Sequence, residues 1–175
     1  MSNEMAILFS EVQKFRQPLL WIFLCIGSII IISVVTYTLR KLSSSKRKKK
    51  IVVVSCLLPM VIIICVGIFL FITKLEVEVR ETGLFVRFFP LHLSFNKIPV
   101  ENIDEYRIIT YSPIKDYGGW GIRYGSKGKA YNVSGNRGVL LKFKDGSADL
   151  CIGSQKPEEL YSAIDKLKKK DLNKR

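Results

Sequence analysis

Two kinds of hydrophobic pattern divide the chain. Residues 19–39 read LLWIFLCIGSIIIISVVTYTL, 21 positions without a charge, and residues 51–72 read IVVVSCLLPMVIIICVGIFLFI, 22 more. At about 1.5 Å per helical residue, each stretch reaches across the ~30 Å hydrocarbon core of a bilayer. Many of these residues are β-branched and would favour strands in water. In lipid every backbone amide must find its partner within its own segment, so both stretches are expected to be transmembrane helices, the second kinked at Pro59. The rest of the chain is too short to enclose two such helices as a soluble core. The first stretch is also longer than a signal-peptide apolar run and lacks a small-x-small cleavage site, so it is read as retained.

Beyond residue 73 the period changes to two. Leu75, Val77 and Val79 alternate with Glu76, Glu78 and Arg80, which predicts a strand with its apolar side inward. Thr82-Gly83 turns into a second strand over 84–89, and after Pro90 a third is expected over 91–95, with Leu91, Leu93 and Phe95 on one face. Further short strands are expected at 105–111, 122–124, 131–134, 139–143 and 148–152. A helix then starts near Pro157, with Ser154 as its cap and Glu158 and Glu159 in its first turn. Leu160, Ile164 and Leu167 form its apolar stripe. Residues 73–170 thus make one small domain, followed by a basic tail at 171–175. Ahead of the first span, Phe9, Val12 and Phe15 recur at helical spacing beside Lys14 and Arg16. The segment 1–18 is therefore expected to be a short interfacial helix ending at Pro18.

Charge adds the sidedness argument. Lys and Arg number 28 against 15 Asp and Glu, a formal net charge of +13 in 175 residues, yet 48% of the chain is hydrophobic. Seven cations crowd into the 40–50 loop: Arg40, Lys41, Lys46, Arg47, Lys48, Lys49 and Lys50. Short loops of this kind stay in the cytoplasm, which would leave both termini and the domain outside it. The loop has no folded scaffold and no aromatic readers, so anionic membrane lipid is its expected partner and nucleic acid is not. Cys25, Cys56 and Cys65 lie in the spans and Cys151 alone in the domain, so no disulfide framework exists. A free Cys151 leans towards a reducing compartment, against the charge argument.

Candidate chemistry is sparse. Gly118, Gly119, Gly121, Gly125 and Gly128 invite a phosphate-loop reading, but Tyr124 breaks a dinucleotide fingerprint, while Arg123 and Ala130 break a P-loop. The glycines are expected to allow a tight loop with positive φ. His92 is the sole histidine and alternates away from Leu91 and Leu93; no histidine pair, Cys and His cluster or nucleophile elbow is present. No cofactor, metal or catalytic residue is expected. The residues left for recognition are Tyr117, Trp120, Arg123, Lys129 and Arg137, aromatics and cations grouped around the same loops, suited either to packing over the domain's rim or to holding a partner or an acidic group.

Several segments carry a family resemblance. Residues 111–125 (YSPIKDYGGWGIRYG), 128–139 (GKAYNVSGNRGV), 153–160 (GSQKPEEL) and the amino-terminal 11–18 (EVQKFRQP) are similar to an uncharacterised prokaryotic membrane-protein family with a transmembrane hairpin followed by a bacterial PH-like domain. The resemblance implies an α+β membrane protein with two transmembrane helices and a small PH-like β-barrel closed by its carboxy-terminal helix. It also implies a domain often found in the cytoplasm, so the side on which this domain lies stays open, with the charge count favouring the outside. The expected role is a non-catalytic assembly, sensing or scaffolding component of the cell membrane that meets membrane lipids and a protein partner or a second copy. A subunit of an oligomeric transporter or channel is the alternative.

Overall fold

The computed structural model describes residues 6–15, 17–41 and 46–173. It divides into a helical hairpin at 16–72 and a second unit assembled from both sides of it, 1–15 and 73–175. Helix α1 runs Pro18–Lys41 and α2 runs Lys46–Ile72, with Pro59 inside it. Among the described residues one helical stretch, Leu20–Lys41, is long and apolar enough to cross a membrane, and Leu57–Ile72 is a shorter apolar one. The hydroxyls on α1 are satisfied locally: Ser28 Oγ donates to the Leu24 carbonyl at 2.8 Å and Thr38 Oγ1 to that of Val34 at 2.7 Å. Such back-bonding keeps a hydroxyl compatible with an apolar surround. A side chain at Gly27 would meet Ile63 at 3.8 Å, so the two helices lie close there. Arg40 and Lys41 finish α1 and Lys46 to Lys50 open α2, so the expected eleven-residue loop contracts to 42–45, which lie outside the described residues.

The first sheet contains β1 (Ile7–Lys14), β2 (Lys74–Arg80), β3 (Gly83–Phe89) and β4 (Asn96–Ile98), all antiparallel and in that order. β1 corrects the expected interfacial helix. Its buried positions are Phe9, Glu11 and Gln13, a period of two, while Val12 is exposed. The helical spacing of Phe9, Val12 and Phe15 loses because the exposed edge of β2 pairs with the segment, Glu11 against Val77 and Lys14 against Lys74. The expected third strand over 91–95 is also corrected. Pro90 has no N–H for the ladder, the His92 amide closes a turn onto the Phe88 carbonyl at 2.8 Å, and pairing resumes only at Asn96.

Val100–Asn102 is a single 3₁₀ turn leading to the second sheet. That sheet comprises β5 (Ile103–Thr110), β6 (Gly121–Gly125), β7 (Gly128–Asn132), β8 (Arg137–Phe143) and β9 (Leu150–Gly153), in the order β5-β8-β9-β7-β6. Only β7 and β9 run parallel. A short helix, α3 (Pro113–Tyr117), immediately precedes the glycine-rich stretch. The last element is α4 (Pro157–Leu172), which starts with Pro157 at its first turn as expected. Ser154 is not its N-cap, a position that Lys156 holds without a side-chain bond; the Ser154 hydroxyl accepts from the Lys156 amide at 2.9 Å and donates to Glu11. Helix α4 takes in Asp171 and Leu172 of the expected tail, Asn173 is its C-cap, and 174–175 lie outside the described residues.

The core forms where α4 packs against strands of both open sheets. Leu160, Ala163, Ile164 and Leu167 from the helix meet Leu75, Val77, Val79, Leu84, Val86, Ile103, Val139, Leu141 and Ile152. Burying a side chain the size of Leu or Ile contributes roughly 1.5–3 kcal/mol, so this stripe alone is a large share of a small domain's stability. Two buried polar residues of β1 tie the sheets together. Glu11 accepts hydrogen bonds from Ser154 Oγ at 2.6 Å and from the Gln155 amide at 2.8 Å, and Gln13 Nε2 donates to the Gly153 carbonyl at 2.8 Å.

Candidate functional site

The outer face of the second sheet carries a separate small cluster of Tyr111, Tyr117, Ala130, Leu140 and Cys151. Helix α3 builds one side of it. Ser112 caps that helix, its Oγ accepting from the Lys115 amide, and Gly118 ends it in the left-handed conformation at φ 74°. The turn continues through Gly119 at φ 129° and Gly121 at φ 116°, as the expected positive-φ loop requires. Gly128 has a second reason to be glycine: a side chain there would stand 2.3 Å from the Asp149 carbonyl oxygen. Gly125 likewise lies against the Asp116 backbone, so these two glycines bring backbones together, whereas Gly118, Gly119 and Gly121 serve the turn.

Beside α3 lies an open groove of about 760 Å³, lined by Arg107, Tyr111, Tyr117, Lys127, Leu140 and Asp149 among others. Its acid is engaged, and its two tyrosine hydroxyls are buried without a hydrogen-bond partner among the described residues. The Ser112 amide, 2.8 Å from Asp116 Oδ2, and the Lys127 ammonium, 3.0 Å from Oδ1, hold the Asp116 carboxyl below the usual carboxylate range. Burial pushes both tyrosine hydroxyls upward and the Cys151 thiol up to about 12, so all three are protonated at neutral pH. This inertness follows from packing, and it removes Cys151 as a witness to the redox compartment.

The five expected contact residues do not form one patch. Tyr117 is core, 2% exposed, with its ring edge-on to Tyr111 at 5.6 Å. Trp120 is half-buried, and exposed Arg123 folds back so that its Nε donates to the Trp120 carbonyl at 2.8 Å. In the β6–β7 register Arg123 stands opposite Ala130, so it shares the outer face. Lys129 is opposite Tyr124 and shares the other face with Tyr131. Its Nζ lies 4.7 Å from the Tyr131 ring centre and 5.4 Å from that of Tyr124. Burial works against its charge, but the two tyrosines hold the ammonium above the usual lysine range. Arg137 pairs with Glu158 at 2.5 Å, at the Gly153 end of β9, whereas Lys129 sits at the Leu150 end, roughly 10 Å away along the strand.

His92 is a half-buried surface histidine with its ring engaged, and its partners are what the sequence leaves unnamed. Its ring is edge-on to Tyr131 at 5.7 Å, Nδ1 lies 2.9 Å from Asn96 Nδ2, and burial together with the Lys129 ammonium lowers its pKa, keeping it neutral. Asn132, the first residue of an apparent glycosylation sequon, is fully buried, and its Oδ1 accepts from the Gly121 amide at 2.9 Å.

A family profile matches the chain over residues 1–168, from the amino terminus through β1, both helices and the two sheets to α4. The chain belongs to DUF6141, a family of unknown function. No curated protein and no solved structure matches this DUF6141 chain.

Proposed function

We propose that this DUF6141 protein is a two-pass membrane protein whose PH-like domain acts as a non-catalytic interaction module for assembly, sensing or scaffolding. The observation that carries the membrane part is the pairing of β1 with β2. One strand precedes both helices and the other follows them, so the chain must leave and re-enter the same side of the bilayer. An even number of crossings lies between them, and if Leu20–Lys41 crosses, α2 crosses back. The basic stretch around 40–50 then faces the cytoplasm, and the domain lies on the opposite side. The PH-like reading is supported by the element order: an antiparallel four-stranded sheet, a second sheet, and a final helix packed against both.

The non-catalytic role is supported by the ion-paired state of the groove's acid and by the burial that keeps its tyrosines and thiol protonated. What remains presentable on the outer face is Arg123 with the Trp120 edge, a cation beside an aromatic, which suits recognition of a carboxylate-bearing partner. The test uses the full chain in solubilised membranes, comparing wild type with Arg123→Ala and Trp120→Ala for both thermal stability and co-purifying proteins. Loss of a specific partner with stability within roughly 1 kcal/mol is the expected result. Undiminished capture by both variants, or turnover of a small molecule in the groove, would overturn the reading. Reporters placed after Arg175, ahead of Ile7 and within 42–45 check the topology, the first two agreeing with each other and opposing the third.

A further inference from the structure

β2 leaves the end of α2 after Thr73 and runs away from it; β3 returns. In register, Phe89 stands opposite Lys74, and Lys74 stands opposite Lys14 on β1, four residues before α1 begins at Pro18. The loop that follows Phe89 therefore leaves the first sheet at the same strand ends, Lys14 and Lys74, through which the chain connects to α1 and α2. That loop displays Leu91 at 59% exposure and Leu93 at 80%, the most exposed large hydrophobic side chain among the described residues. A leucine so placed has no packing role in the domain.

The neighbourhood of the loop has the composition of a membrane interface. His92, between the two leucines, packs on Tyr131, which together with Tyr124 holds the Lys129 ammonium. Tyr124 is itself 75% exposed. The surface thus runs from an aliphatic tip through an aromatic ring to a cation, the order in which side chains sit from acyl chains to anionic headgroups. Glu76, the acid nearest the start of β2, does not oppose this, because it is paired with Lys74 at 2.8 Å and with Arg87.

We propose that the Leu91–Leu93 tip, with Tyr124 and Lys129, inserts into the interfacial layer of an anionic bilayer and pins the domain against the membrane. The proposal rests on the two-pass reading, which supplies the bilayer at that end of the sheet. Pinning would fix which face the domain presents outward and leave the groove beside α3 free for a partner.

The test uses the full chain reconstituted in vesicles of phosphatidylcholine and phosphatidylglycerol, with Cys25, Cys56 and Cys65 replaced by Ala. Cys151 stays, because it is buried and its thiol protonated. An environment-sensitive fluorophore is attached in turn to Leu93→Cys, to Thr82→Cys at the opposite end of the β2–β3 hairpin, and to Ile62→Cys in α2. Quenching by lipids carrying a shallow nitroxide is expected to be several-fold stronger at 93 than at 82. Lys129→Gln should weaken the quenching at 93. If position 62 is quenched by a deep nitroxide while 93 behaves like 82, the pinning proposal falls and the two-pass reading stands. If position 62 is not quenched, the two-pass reading falls and takes the proposal with it. Cross-linking of position 93 between two chains by a short bis-maleimide would assign the tip to a second copy and also overturn the proposal.

Discussion

Glu11 precedes α1 and α2 in sequence, yet its carboxylate is the acceptor that holds the segment leading into α4. It is 8% exposed and takes hydrogen bonds from Ser154 Oγ at 2.6 Å and the Gln155 amide at 2.8 Å. Hydrogen bonds to a charged group contribute roughly 1.5–3 kcal/mol each, and removing one partner leaves a buried donor unsatisfied. Against this stands the relief of no longer burying a carboxylate. Glu11→Ala should therefore cost about 2–4 kcal/mol in the local opening of β1, and Glu11→Gln, which keeps one acceptor, about 1 kcal/mol. β1 is the edge strand of its sheet, so the effect is expected as local opening rather than global unfolding. Hydrogen exchange on the full chain in detergent reads it directly. A loss of 2 kcal/mol speeds exchange of the Ile7–Lys14 amides about thirtyfold, while amides of Leu141 and Ile152 in the core keep their rates. Val12→Ala, at an exposed position of the same strand, is the control and should change little. If Glu11→Ala leaves β1 exchange within about threefold of wild type, the carboxylate is not what joins the sheets.

Two further outcomes follow from the same geometry. Because Lys14 faces Lys74 across the β1–β2 ladder, residues 6–15 joined by a short turn to 73–175 should give a soluble domain with a strand-rich circular dichroism spectrum and one helix. The fragment 73–175 alone, with a bare β2 edge, should aggregate, and equal stability of the two would show that β1 is dispensable. Cys151, with its pKa pushed up to about 12 by burial, has a thiolate fraction of about one in ten thousand at pH 8. Alkylation followed by mass spectrometry should label it only after denaturation, and native labelling with the pH profile of an ordinary thiol would contradict the packing.

The elements readable along the chain were those whose evidence is local. An uncharged stretch of 21 residues needs no partner to be recognised as apolar throughout. The alternation Leu75, Val77, Val79 and the stripe Leu160, Ile164, Leu167 each report their own period. β2, β3, β5, β8 and α4 accordingly lie where the pattern places them, within a few residues. Of the contact residues, the loop's positive-φ glycines and the exposure of Arg123 were legible, whereas Tyr117 turned out to be core because α3 folds over it.

The remainder depended on partners distant in sequence. Phe9, Val12 and Phe15 fit a helix as well as Phe9, Glu11 and Gln13 fit a strand. The choice falls to the strand because the free edge of β2, more than fifty residues on, and the polar groups at 153–155, more than a hundred residues on, satisfy it. Leu91 and Leu93 alternate like a strand but have no neighbour to pair with, and become an exposed tip instead. Local periodicity records which face of a segment is apolar, while pairing and burial against remote groups decide whether that face has anything to meet.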